Sequence, residues 1–239
     1  MSELLQHLDP VPAAAFEDIV IELGRRPIAV NNYRIKSGVG RSQCFGLVNK
    51  RCLAPDLSRQ CFQRPYLYHL LCEYAEKYVP IEWDGVTVNM NYPCAPHTDK
   101  GNIGMSYIVA FGDYWRGRLK IHEHPDLSGA LIDIKMKPLL FNGSVLTHSV
   151  ESTQGPRFSL VYYRLKRHNP ETQDVKRKDY FAAIDADSNQ WCIFRKDLDG
   201  VPRLLQGLPH PLKGRKKSKA AVDVAVVGAD AGETLVPPA

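Results

Sequence analysis

The 239-residue chain contains no uninterrupted apolar run near the roughly 20 residues that a membrane-spanning helix requires, which excludes a helical membrane protein. Its opening segment, MSELLQHLDPVPAAAFEDIV, carries acids early and lacks a basic stretch followed by an apolar core. A secretory leader is therefore not expected, and the protein is expected inside the cell, in cytoplasm or nucleus. No C-x-x-C pair occurs. The six cysteines, Cys44, Cys52, Cys61, Cys72, Cys94 and Cys192, are scattered, which argues against a zinc ribbon or disulfide scaffold and leaves buried or idle thiols. Internal repeats, a phosphate-cradling glycine loop and a catalytic carboxylate pair are also missing. Nor does one sign of charge dominate the body of the chain: the formal net charge is +5, and the run Lys213 to Lys219 (KGRKKSK) holds five cations. Charge alone does not name a partner.

An apolar share of 44% with 24% charged residues is that of a globular protein, and the length suits one domain with a real core. Residues Leu57 to Tyr78 read as a helix, with Ser58 as cap, Pro65 in a first turn, and Phe62, Tyr66, Leu70 and Tyr74 on one face. Short alternating or apolar runs follow: Val86 to Asn91, Met105 to Phe111, Arg118 to His122, Ala130 to Ile134, Pro138 to Phe141, Val145 to Val150 and Arg157 to Leu165. Turns such as Asp84-Gly85, Gly112-Asp113, Asn142-Gly143 and Gly155-Pro156 separate them, as in an antiparallel sandwich or jelly roll. The expected fold is α+β with a mainly β core and N-terminal helices packed on one sheet. The expected organisation is a single catalytic domain over 1–212, with its β core at about 84–166. A covering segment over 167–212, with Tyr180, Phe181, Trp191 and Phe194, is expected at one end of the barrel, and a disordered tail over 213–239.

The tripeptide His97-Thr98-Asp99 follows the first of these strands, and His148 stands in a later one. In extended chain, residues two apart point the same way, so an imidazole and a carboxylate at that spacing occupy adjacent corners of one octahedron. With a distant second histidine they form a facial triad. Three positions stay open, which suits Fe(II) binding a bidentate keto acid and dioxygen together. An isolated H-x-D is common by chance. A rival tripeptide, His122-Glu123-His124, is followed at once by Pro125 and reads as a solvated turn.

Arg157-Phe158-Ser159 lies in the strand directly after the one with His148, and its arginine and serine share a face. If Val145–Val150 and Arg157–Tyr163 pair as a hairpin, the guanidinium lies within a strand or two of the metal. A dicarboxylate such as 2-oxoglutarate then bridges the two: its keto acid chelates iron, and its far carboxylate takes a bidentate grip from Arg157 and a hydrogen bond from Ser159.

In the order NMNYPCAPHTD, MSYIVAFGDYWRGRLKI, PLLFNGSVLTHSV and GPRFSLVYYR, the segment from about Val86 to Arg164 resembles the 2-oxoglutarate/Fe(II) dioxygenases, a superfamily built on a double-stranded β-helix. The short spacing from His148 to Arg157 is similar to prolyl-hydroxylase-type members, and the R-x-S form to TET/JBP-like ones. The AlkB branch fits less well, because Arg164 is out of phase with Arg157. The resemblance implies iron held by His97, Asp99 and His148, cosubstrate held by Arg157 and Ser159, hydroxylation of a C–H bond with release of succinate and CO2, and ascorbate as reductant. It further offers Asn89, Asn91 and Tyr107 as cosubstrate-binding residues, and Gly117 as a point of close backbone approach. For the first three, ordinary strand hydrogen bonding is an equal reading.

The substrate expected from the resemblance is macromolecular. A modified nucleic-acid base, flipped or single-stranded, is one reading, with phosphates held by Arg34, Lys36 and Arg41 of NNYRIKSGVGR. A solvated hairpin is the plainer reading of that segment. A protein side chain is the alternative substrate, and a non-catalytic nucleic-acid-binding barrel the alternative outside enzymology.

Overall fold

The computed structural model describes residues 4–28, 40–49, 55–122, 129–167 and 175–205. Among them no helix is long and apolar enough to cross a membrane. The strands in chain order are β1 (Leu5–His7), β2 (Arg41–Val48), β3 (Asp56–Leu57), β4 (Gly85–Met90), β5 (Cys94–His97), β6 (Asn102–Phe111), β7 (Trp115–Arg116), β8 (Leu119–Ile121), β9 (Leu131–Ile132), β10 (Leu139–Phe141), β11 (His148–Val150), β12 (Thr153–Gln154), β13 (Phe158–Leu165), β14 (Tyr180–Asp185), β15 (Gln190–Lys196) and β16 (Pro202–Leu204). The helices are α1 (Glu17–Arg25), α2 (Arg59–Gln63) and α3 (Pro65–Tyr78).

A seven-stranded antiparallel sheet, in the order β1-β10-β6-β13-β4-β2-β3, and a four-stranded sheet, β5-β11-β8-β9, form a jelly roll of the double-stranded β-helix kind that does not close into a barrel. The α-helices pack on the outer face of the larger sheet. Period-2 alternation divides that sheet cleanly. Val86 and Val88, Tyr107, Val109 and Phe111, and Leu160 and Tyr162 face the helices in the principal core. Thr87, Asn89, Ile108, Ser159 and Val161 face the interior between the sheets.

The helical layer is fastened to the sheet by aromatic rings. Phe16, just ahead of α1, stacks on Phe111 with centroids 4.3 Å apart. Tyr74 of α3 shares a 2.7 Å hydroxyl–hydroxyl hydrogen bond with Tyr107, and the Tyr162 hydroxyl donates to Leu71 O at 2.8 Å. The helix expected over Leu57 to Tyr78 is in fact two, because Pro65 drives the preceding residue out of the helical region: Arg64 sits at φ −139°, ψ 59°. Arg64 is buried, and its guanidinium donates to Glu22 O at 2.9 Å, tying the break to α1.

Two further differences concern strands. Arg41–Val48 is not expected as a strand from alternation, yet β2 pairs with β4 over Arg41–Gly46 and with β3 over Leu47–Val48. The hairpin expected between the His148 and Arg157 strands does not form. Instead β11 pairs with β5 and β8 in the small sheet, whereas β13 pairs with β4 and β6 in the large one. The turn between them crosses from one sheet to the other. The strands β14, β15 and β16 form a separate meander against α3, with Trp191 packed on Tyr66 and His69. It sits on the helical layer, and none of its residues lines the cavity between the sheets.

Because Phe16 is 2% exposed and wedged between Phe111 and Tyr74, Phe16→Ala should lower unfolding stability by about 3–5 kcal/mol. A fall in the chemical-denaturation midpoint without a change in metal affinity is the expected result.

Candidate active site

Residues from both sheets surround a cavity of about 430 Å³. On its small-sheet side, β5 and β11 pair so that His97 and His148 stand directly opposite each other, with ring centroids 4.4 Å apart. Asp99 follows β5 in a turn, held by its N–H donating to Gly143 O at 2.8 Å. One ligand atom from each of His97, Asp99 and His148 lies within 4.8 Å of the others. His97 Nε2 is 3.7 Å from Asp99 Oδ1, and His148 Nε2 is 3.8 Å from Asp99 Oδ2.

The histidines' backbone partners decide which nitrogen faces the cavity. His97 Nδ1 is 2.8 Å from Ala95 O, and His148 Nδ1 is 2.9 Å from Leu146 O. A carbonyl only accepts, so each Nδ1 carries the proton and each Nε2 keeps a lone pair for a metal. Burial holds His148 below the ordinary imidazole pKa, which favours the neutral ligating form. Gly143 makes room for the cluster: a Cβ there would come within 3.1 Å of Asp99 Oδ2 and 3.3 Å of His148 Cε1.

Across the cavity, Arg157 is 1% exposed. Its Nη1 donates to Ser159 Oγ at 3.4 Å, and Nε and Nη2 have no hydrogen-bond partner. No carboxylate among the described residues pairs with it. Burial lowers its pKa, and the nearby Tyr114 hydroxyl offsets this in part; a guanidinium stays protonated regardless. The Tyr114 ring lies 5.5 Å from Arg157 Cζ. A buried cation without a carboxylate partner costs several kcal/mol, a cost that an anion entering the cavity would offset. The metal ligands and Arg157 line the same cavity, which fits a molecule with a chelating keto acid at one end and a carboxylate at the other.

The remaining expected site residues fare differently. Asn89 lines the cavity beside Ser159: its Nδ2 donates to Ser159 Oγ at 3.4 Å, and its Oδ1 is buried without a partner. Ser159 Oγ thus accepts from Arg157 and Asn89, which leaves its own proton free for a ligand. Asn91 is not on the strand face expected of it. It lies past the end of β4 at φ +47°, its Oδ1 accepts the Arg157 N–H at 2.7 Å, and its own N–H donates to Arg157 O at 2.8 Å. It holds the arginine's backbone rather than the cosubstrate.

Tyr107 is excluded from the cavity by strand phase, since it faces the helices and bonds Tyr74 while its neighbour Ile108 faces inward. Arg41 is exposed at the start of β2, opposite Met90 and in phase with Gln43 and Phe45 on the helical side, so it does not face the cavity. Arg34 and Lys36 lie outside the described residues, as do Glu123 and His124. His122 is engaged with Ser149 at 2.8 Å. Gly117 is as close as expected: at φ +71°, a Cβ there would meet Arg157 Cδ at 2.7 Å. The packing of Tyr114 and Gly143 against the site had no signal in the sequence beyond a turn glycine and an aromatic near a strand end.

No family model and no curated protein matches the sequence. Solved structures do resemble the fold. One described as NgTET1 in complex with 5mC DNA is 17% identical, covers 68% of this chain and 72% of its own, with a TM-score of 0.46. A Pseudomonas putida prolyl-4-hydroxylase is 13% identical, covers 70% and 94%, and scores 0.47. A Burkholderia pseudomallei oxidoreductase described as of the 2OG-Fe(II) oxygenase family is 13% identical, covers 66% and 82%, and scores 0.42. On its own geometry, the His97-Asp99-His148 cluster could hold a metal ion.

A methyl group at Gly117 would strain a left-handed backbone and displace the Arg157 stem. Gly117→Ala should therefore weaken 2-oxoglutarate binding to the Mn(II)-loaded protein by at least about tenfold, equivalent to about 1.4 kcal/mol, with metal affinity unchanged. Calorimetric titration of metal and of cosubstrate separates the two effects.

Proposed function

We propose that this chain is an Fe(II)- and 2-oxoglutarate-dependent dioxygenase that hydroxylates or oxidises a C–H bond of a macromolecular substrate. The observation that carries the reading is a His-Asp-His cluster sharing one cavity with a buried arginine that lacks a carboxylate partner among the described residues. Bound Fe(II), with 2-oxoglutarate and dioxygen, supplies oxidative decarboxylation to succinate and CO2 coupled to insertion of oxygen into the substrate.

The protein's own part is to bind, orient and exclude. His97, Asp99 and His148 offer three ligand atoms and leave the remaining coordination positions to the reactants. Arg157, with Ser159 and Asn89 beside it, receives the far carboxylate and fixes the cosubstrate's direction across the cavity. Ile108, Leu119, Phe141 and Val161 line the cavity with apolar surface and exclude water from around the keto acid. No side chain is assigned as a general acid or base.

As substrate we propose a modified nucleic-acid base, in the TET/JBP-like manner, with a protein side chain as the alternative. A cavity of about 430 Å³ has room for the cosubstrate and one projecting group, a flipped base or a residue side chain.

Anaerobic addition of Fe(II) and 2-oxoglutarate should give a weak visible metal-to-ligand charge-transfer band. His97→Ala should abolish it, and Arg157→Ala should raise the 2-oxoglutarate concentration needed to reach it by at least about a hundredfold, or about 2.7 kcal/mol. Absence of the band in the wild-type chain would end the proposal. Mass spectrometry of methylated DNA, RNA and peptide pools after aerobic incubation decides the substrate class, and a product on peptides alone would overturn the nucleic-acid reading.

A further inference from the structure

The β14–β16 meander completes neither of the two main sheets and contributes no residue to the catalytic cavity. One face is occupied by α3. Outside that contact the meander, with the segment leading into β14, frames a concavity of about 740 Å³. Lys176, Lys178, Arg195, Lys196 and Arg203 line it, against two carboxylates, Asp179 and Asp197.

Asp197 is already engaged within its own turn. It accepts the Val201 N–H at 2.8 Å and the Asp199 N–H at 3.1 Å, and it pairs with Arg203 at 3.0 Å. Those bonds hold its pKa below the ordinary carboxylate value, so it stays an anion committed to Arg203. The lysines Lys176, Lys178 and Lys196 and Arg195 are exposed, and no salt bridge among the described residues involves them. Two of these cations, both on β15, lie over aromatic rings of the neighbouring strand β14: Arg195 Cζ is 5.4 Å from the Tyr180 ring and Lys196 Nζ 5.8 Å from that of Phe181.

This concentration of charge is not a by-product of composition. The run Lys213–Lys219 carries as many cations as the chain's whole formal charge of +5, so the rest of the chain is neutral in sum. A groove with five cations and two carboxylates on an otherwise balanced body is a local excess. In sequence, the basic run begins only eight residues after Leu205, which itself lines the groove.

We propose that this groove is a docking surface for the phosphate backbone of a nucleic acid, separate from the catalytic cavity. A string of phosphates in a concave track meets several cations at once, whereas a flat anionic membrane cannot enter a concavity to reach them. The proposal uses none of the residues assigned to metal or cosubstrate, and so holds or fails independently of the proposed chemistry.

The test is fluorescence anisotropy of labelled single-stranded and duplex oligonucleotides titrated with the full chain between about 50 and 200 mM salt. Two double variants of equal charge change are compared, Lys178→Glu/Lys196→Glu in the groove and Lys77→Glu/Lys137→Glu outside it. The groove pair should weaken binding at least about tenfold and lower the log–log salt slope by about two, while the outside pair stays within about twofold. Lys178→Ala/Lys196→Ala should give a smaller loss in the same direction, and serves if the charge reversal disturbs folding, as read by circular dichroism. No binding by the wild-type chain, equal losses in the two pairs, or unchanged binding in the groove pair, which would assign the affinity to the Lys213–Lys219 run, would each overturn the proposal. So would binding to phosphatidylserine vesicles with none to oligonucleotides.

Discussion

Arg157 sets the terms for the rest of the cavity: a guanidinium buried to 1% exposure, with two of its nitrogens unpaired, is tolerated only where the surrounding structure forces it. The forcing is visible on every side. Asn91 fixes the arginine's backbone from both N–H and C=O, Gly117 yields the space its stem fills, and Tyr114 lays a ring beside its charge. Each of these contacts restricts where the cation points. None neutralises it, so the attraction of the site for a carboxylate is preserved rather than consumed internally.

The cost of that arrangement is met elsewhere in the fold. The opposite face of the same sheet is sealed by Phe16, Tyr74, Tyr107 and Tyr162 against the helical layer, with the Tyr74 and Tyr107 hydroxyls hydrogen-bonded to each other. Strand alternation thus divides two duties along a single backbone: one residue stabilises, the next lines the cavity. Tyr107 and Ile108, or Ser159 and Leu160, are adjacent in sequence yet belong to different jobs.

That division also explains what sequence reasoning can and cannot reach. The H-x-D spacing, a later histidine and the R-x-S pair are local patterns with local geometric meaning, so the residues that share the cavity were legible. Phase, however, is only relative. Alternation says that Tyr107 and Ile108 face opposite ways, not which way is inward, and that is why Tyr107 was misassigned and why Arg41 was expected near a substrate. Sheet membership is less local still. The turn at 151–157 reads like a hairpin, but β11 finds its partners in β5 and β8, and Arg157 reaches the cavity from the facing sheet instead of from a neighbouring strand. Asn91 shows a third limit: its role comes from a left-handed backbone just past a strand end, a conformation that asparagine permits but does not announce.

The facing-sheet arrangement has a consequence for how reactants arrive. The His148 side chain is only 6% exposed, whereas those of His97 and Asp99 are 37% and 26% exposed. The candidate metal site is therefore closed on the β11 side and open toward the end of β5, with His97, and the turn after it, with Asp99 and the exposed Lys100. Under the proposed function, Arg157 would fix the far end of a dicarboxylate deep between the sheets, and the open flank would be left for a substrate too large to enter the cavity whole. A macromolecule need only insert a single group there. In the proposed reaction the two reactants would thus be separated by depth: a small anion selected by a buried cation, and a projecting group admitted at the rim.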